Sequence, residues 1–218
     1  MAEYLKLFEN HTDYEAYISD NPTTPNVSYC VDVRDVHYNP YIIDFASNAI
    51  KQLLITSGAD LNNDGEIDIY EAQKFNNFSA FMYFSMSTPY SFDEFRFFTS
   101  VTTAPLFVST PITSIVLPDS ITTLPAGFFD DCDEIVNIVI PESVTTINGT
   151  SPILCKCNKL ESVTFMSQTP PTITDLDNFT NNASGFKIYV PADSVNAYKG
   201  ATIWSRYASI INAIPSAS

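Results

Sequence analysis

The chain is poor in cations. Ten lysines and arginines stand against 25 aspartates and glutamates, for a formal charge of −15. Such a balance repels a phosphate backbone and offers no basic surface for counterion release, so nucleic acid is excluded as an expected partner. Histidine occurs only at His11 and His37, in no catalytic or His-Glu-x-x-His pattern, and the six glycines form no phosphate-cradling loop. The paired carboxylates Asp130 and Asp131 read as a solvated turn rather than an acid–base pair, and no enzymatic activity is expected. Of the four cysteines, Cys155 and Cys157 are too closely spaced for a zinc site and no histidine follows them, so buried free thiols are expected for Cys30, Cys132, Cys155 and Cys157. No run approaches the ~18 apolar residues of a spanning helix, and no membrane span is expected. The first eight residues lack the basic and apolar regions of a secretory signal, which predicts that the chain stays in the cytoplasm that makes it.

What the chain does have is a core-forming composition, with 45% apolar residues over 218 positions. It also has one ordered polar pattern. Residues 60–71 place oxygen donors at loop positions 1, 3, 5, 9 and 12 and a glycine at position 6, the arrangement of a twelve-residue calcium loop. A hard divalent cation needs six to eight oxygens on a tight turn, and only a residue tolerant of positive φ at Gly65 lets Asp60, Asn62 and Asp64 converge. The predicted calcium ligands are Asp60, Asn62, Asp64, the backbone carbonyl of Glu66, Asp68 directly or through water, and a bidentate Glu71; Ile67 should point into the core. Apolar residues at helical spacing predict an entering helix over residues 41–55, and the exiting helix should begin at Tyr70.

From residue 112 the chain repeats itself. Residues 112–124 align with 135–147 at an offset of 23, through Pro118 and Pro141, and a third copy begins at Leu160, preceded by Cys157 as the second is preceded by Cys132. In each copy apolar residues at i, i+3 and i+5 should point inward, which makes each copy one coil of a solenoid. Residues 187–191 read as a closing strand, Asp193 or Ser194 as the cap of a short helix, and Trp204, Tyr207, Ile210, Ile211 and Ile214 as the cover of the last coil. The outward ladder is then Ser114, Val116, Asn137, Val139, Ser162 and Thr164, small, neutral and partly apolar, which favours a protein contact over sugar stacking. Eight of the sixteen phenylalanines lie between Phe75 and Phe98. That density predicts a hydrophobic junction capping the first coil, with a homo-oligomer contact as the alternative.

These residues resemble the BspA-like leucine-rich repeats of gut Bacteroidales, whose coils carry a Leu-x-x-Ile-x-Ile-Pro-x-Ser-Val/Ile-Thr-x-Ile core and a cysteine before the next coil. The resemblance runs from Phe92 to Ile214 and includes the tail Ile188-Tyr189-Val190-Pro191-Ala192-Asp193-Ser194-Val195. In related proteins a dockerin-like calcium loop precedes the repeats, followed by a segment like residues 91–99, and both features occur here in that order. The first forty residues read as a strand over 4–8, a short helix over 12–18 and a hairpin of 27–30 with 36–38. Through Tyr14-Glu15-Ala16-Tyr17-Ile18 and Pro25-Asn26-Val27-Ser28-Tyr29-Cys30 this unit resembles a module of structural proteins of Bacteroidales phages, crAss-like ones included. The sequence therefore predicts an α+β chain with an attachment module over 1–39, a helix-loop-helix calcium site and aromatic junction over 40–90, leucine-rich repeats over 91–186 and a C-terminal cap over 187–218. The resemblances imply a virion component, assembled in the host cytoplasm, whose partners are other virion proteins or a host surface receptor; a bacterial cell-surface adhesin is the alternative.

Overall fold

The computed structural model describes residues 6–8, 29–31, 41–83, 87–148, 153–174 and 178–216, with only the backbone described at 6–8, 29–31, 82 and 83. Two compact units divide at Ile42. In the first, β1 (Lys6–Phe8) and β2 (Tyr29–Val31) pair in parallel. The expected helix over 12–18 and the hairpin partner 36–38 lie outside the described residues.

The second unit begins with helix α1 (Asn48–Thr56), seven residues later than the apolar spacing of 41–55 suggests. Ser47 sets the boundary, since its side chain accepts from the Ile50 amide as an N-cap. Residues 43–46 are not helical; the Ile43 amide instead donates to the Ile67 carbonyl at 2.9 Å, which buries Ile43 and Ile67 together. Helix α2 (Ile69–Lys74) starts where expected, on a capping box in which Asp68 accepts from the Glu71 amide and Glu71 from the Asp68 amide.

The solenoid follows as a stack of parallel strands. β3 (Tyr90–Phe92) pairs with β4 (Ile112–Ile115), and β6 (Asn137–Ile140), β8 (Ser162–Phe165), β10 (Lys187–Val190) and β11 (Ile211–Ala213) form one sheet in that order. On a second face β5 (Thr123–Leu124), β7 (Thr146–Ile147) and β9 (Thr172–Ile173) stack likewise. Ile138 lies beside Val163 and Ile140 beside Phe165, so each inward side chain meets its counterpart one coil on. The inward set Ile112, Ile115, Leu117, Ile135, Ile138, Ile140, Leu160, Val163 and Phe165 is buried as the repeat spacing predicts.

The turn after each strand explains the Pro-x-Ser motif. The Ile121 amide bonds to Pro118 and the Val144 amide to Pro141, closing tight turns, while the hydroxyls of Ser120 and Ser143 donate back to the Val101 and Ile121 carbonyls of the preceding coil. The residues before each new coil act in the same way. Thr110 and Cys132 donate to the Phe107 carbonyl, Cys157 to that of Phe129 and Asn182 to that of Leu154, so one side-chain donor per coil satisfies a buried carbonyl.

Both ends are capped by aromatic rings. At the start, Phe78 sits 5.1–5.3 Å from Phe75, Phe81, Phe95 and Phe98, and all five are buried. These phenylalanines are core, and their faces are spent inside the chain rather than on an oligomer contact. At the far end Trp204 donates to the Pro171 carbonyl and packs edge-on against Phe165. Two expectations change here. Ile211 is not loose cover but part of β11, which adds a further parallel strand beyond the predicted closing strand. Helix α3 (Val195–Gly200) has no side-chain cap; Ser194 sends its hydroxyl to Gln168 instead, because a 3₁₀ turn at Ala192–Ser194 already leads into the helix.

The alternation gives a direct test. A core Ile→Ala change costs about 2–5 kcal/mol and an exposed one stays within about 0.5 kcal/mol. Ile138 is 2% exposed and Val139 53%. Chemical denaturation should therefore show Ile138→Ala losing several kcal/mol and Val139→Ser almost nothing. Equal losses would contradict the register. At the N-terminal cap, Phe95→Ala should cost about 3–5 kcal/mol in the same assay.

Candidate functional site

Two regions carry polar chemistry, the loop between α1 and α2 and the outward face of the sheet. In the loop, Gly65 has φ of 83° and Asn63 of 61°, so the chain makes the left-handed turn that the spacing calls for. Asp60 accepts from the amides of Asn63, Asp64 and Gly65, at 2.7, 3.3 and 3.0 Å. Asn62 accepts from the Asp64 amide and donates to the Asp64 carboxylate, and Asp64 accepts from the Glu66 amide. Glu71 spans both ends: one oxygen takes the amides of Leu61 and Asn62, the other that of Asp68. It is 3% exposed, and burial pushes its carboxyl above the usual range. Glu66 turns its side chain to Lys51 at 2.5 Å.

These side chains are held on backbone amides. Among the described residues no group of three or more His, Cys, Asp or Glu side chains is gathered as a metal cluster. The donor set nonetheless consists of oxygens alone, with a buried carboxylate at position 12, and that chemistry fits a hard cation such as calcium. The loop is tied to the solenoid at three points. Ala46, beside the N-cap of α1, donates to Glu94 at 2.9 Å; Ser100 donates to the Gln73 carbonyl at the end of α2; Phe75 packs on Phe98.

On the sheet, the register of β6 and β8 brings four of the six predicted ladder residues together, while Ser114 and Val116 belong to β4 and the residue after it, in the separate β3–β4 pair. Asn137 lies beside Ser162 and Val139 beside Thr164, and the Ser162 hydroxyl donates to the Asn137 side-chain carbonyl at 2.7 Å. Val116 and Val139 are 43% and 53% exposed, while Ser114, Ser162 and Thr164 are half-buried. The six residues do not end the face. Lys187 continues the Asn137–Ser162 column and Tyr189 the Val139–Thr164 column, both half-buried on β10. The repeat motif alone ends the ladder at the third copy, because the fourth strand lacks the leading leucine; the alternation of Lys187, Ile188, Tyr189 and Val190 is the signal that extends it.

Residues 100–199 match the family described as the BspA type leucine rich repeat region, in six copies. This part of the chain is similar to BspA-type leucine-rich repeats, a class of protein-interaction domain. No curated protein matches the chain significantly. The repeat match also covers rungs that the three sequence copies leave out, among them the bridge between Thr103 and Thr123.

The cysteines between coils are structural. Cys132, Cys155 and Cys157 are free and buried, and burial pushes their thiols up to about 11, 12 and 12. Cys155 donates to Asp130 at 2.8 Å, and Lys156 stands 3.7 Å from the same carboxylate. A thiol with a raised pKa is a poor nucleophile at neutral pH. In a Cys30→Ser background, a disulfide reagent at pH 7 should label none of the three in the native protein within minutes and all three after denaturation.

Proposed function

We propose that the chain is a non-enzymatic display protein whose leucine-rich repeats meet a protein partner across Ser114, Val116, Asn137, Val139, Ser162 and Thr164. The observation that carries this is two valines held in the open, Val139 within β6 and Val116 just past the end of β4. One β-branched apolar side chain left in water is common, but Val116 and Val139 stand at equivalent places of two successive coils and offer apolar surface that a partner can desolvate. The fold supplies the rigidity, since β6 is paired with β8 and β4 with β3.

A calcium ion belongs to this reading as a structural clamp. Asp60, Asn62, Asp64, the Glu66 carbonyl, Asp68 and Glu71 would hold it, and its charge would relieve the crowding of carboxylates around a buried Glu71. Because the loop is fastened to the first coil through Glu94, Ser100 and Phe75, a stiffer loop means a stiffer cap. We place the protein on a virion of a phage infecting Bacteroidales, on the resemblance of residues 1–39 to phage structural modules, with that module joining other virion proteins and the repeats facing a host receptor. The same repeats on a bacterial cell-surface adhesin are the second reading, favoured by the BspA-type match.

Calcium at about a hundredfold over its dissociation constant adds roughly 2.7 kcal/mol to stability. Wild type should melt several degrees higher in calcium than in chelator, and Glu71→Gln should melt at one temperature in both. A wild type indifferent to calcium contradicts the clamp. For the partner face, Val139→Asp should weaken pull-down of the particle or receptor at least tenfold while leaving the melting temperature within a degree or two. Deleting residues 1–39 should release the repeats from the particle and leave them folded; continued incorporation would move the anchor to another segment.

A further inference from the structure

The last coils open a depression of about 470 Å³ on the outward face, lined by Asn137, Glu161, Ser162, Ser184, Lys187 and Tyr189. Its size falls in the range of roughly 300–1,000 Å³ typical of small-ligand sites. The reason it exists is a break in the rim. Between the two preceding coils the rim is filled: Asn158 donates to Asp133, and Lys159 pairs with Glu134 at 2.8 Å. One 25-residue step on, the same positions are Ala183 and Ser184, followed by Gly185 at φ of 86° with open space where a Cβ would stand. Small residues replace an ion pair and a hydrogen-bonded amide, and the floor of the sheet is exposed.

We infer that this depression is a subsite for a neutral saccharide. A pyranose ring presents an apolar C–H face and a rim of hydroxyls, each both donor and acceptor, so its site needs an aromatic face beside groups of both polarities. Tyr189 supplies the ring; it packs against no other ring among the described residues. Glu161 accepts and Lys187 donates, and neither side chain has a hydrogen bond or ion pair among the described residues. Ser162 uses the Asn137 side-chain oxygen, which leaves the Asn137 amide nitrogen with two donors for a ligand. One carboxylate and one ammonium cancel locally, and a chain of formal charge −15 repels uronate or sulfate polymers. An uncharged, hydroxyl-rich ligand matches what is left. The floor is a parallel sheet, so a longer glycan can run on past the depression over the neighbouring strands. The subsite shares Asn137 and Ser162 with the proposed protein face, but neither Val116 nor Val139 lines it.

Affinity electrophoresis of the full chain through gels containing mannan, xyloglucan, mixed-linkage β-glucan, starch or galactan tests this. At least one should retard wild type, and Tyr189→Ala, at a half-buried outward position, and Ser184→Arg, at an exposed one, should each cut the affinity at least tenfold while the protein stays folded. Val139→Asp should leave the retardation unchanged, which separates this site from the protein strip. Three outcomes overturn the inference: no neutral polysaccharide retards wild type, retardation survives both depression variants, or only anionic polysaccharides or a protein partner respond to Tyr189→Ala.

Discussion

The structure depends on one constraint: no single coil of the repeat can bury its own apolar face. A four-residue strand such as Asn137–Ile140 turns only Ile138 and Ile140 inward, and each is covered by Val163 and Phe165 of the next coil. Burial is therefore shared between neighbours, and the core is a column rather than a centre. Register follows from this, because a slip of one residue along a strand would turn the isoleucines to water and Val139 to the interior. Everything that recurs along the chain serves the same stacking. The serines after each proline, and the Thr110, Cys132, Cys157 and Asn182 column, close the carbonyls that a tight coil leaves open.

A column has two open ends, and the chain devotes its aromatic residues to them. Phenylalanines gather at the first coil and Trp204, Tyr198 and Phe179 at the last. The calcium-loop segment is fastened to the first cap rather than left as a separate appendage, through a carboxylate, a hydroxyl and a ring pair. That placement joins an acidic loop on the surface to the start of the solenoid.

Much of this was legible in the sequence because repetition multiplies a weak signal. One short strand is ambiguous, whereas Ile112, Ile135 and Leu160 at equivalent places fix which side chains face in. The loop pattern was legible for a different reason, since Gly65 and the alternating Asx residues leave few backbone options. Where sequence reading went astray, a local bond outweighed a periodic pattern. Ile42, Phe45 and Ala46 sit at helical spacing, yet Ser47 caps α1 and Ile43 pairs with Ile67 instead. Ser194 has the chemistry of a cap and spends it on Gln168. Strand β11 carries no sequence signal beyond the bulk of Ile211, and the fourth rung of the ladder is hidden because Lys187 and Tyr189 depart from the repeat motif. The depression beside them could not be read at all, since it arises from what Ala183, Ser184 and Gly185 lack.

The register of coil on coil carries the core, the ladder and the depression alike, and a cross-link measures it directly. Parallel neighbours on adjacent strands stand about 4.8 Å apart, within the window in which two cysteines bridge, whereas a partner two residues further along lies beyond about 7 Å. Asn137→Cys with Ser162→Cys, in a background where Cys30 is serine, should form a disulfide quickly under mild oxidation and leave the protein folded, because those side chains already touch. Asn137→Cys with Thr164→Cys should remain reduced under the same conditions. Rapid bridging of the second pair in preference to the first would contradict the stacking on which the rest of the account stands.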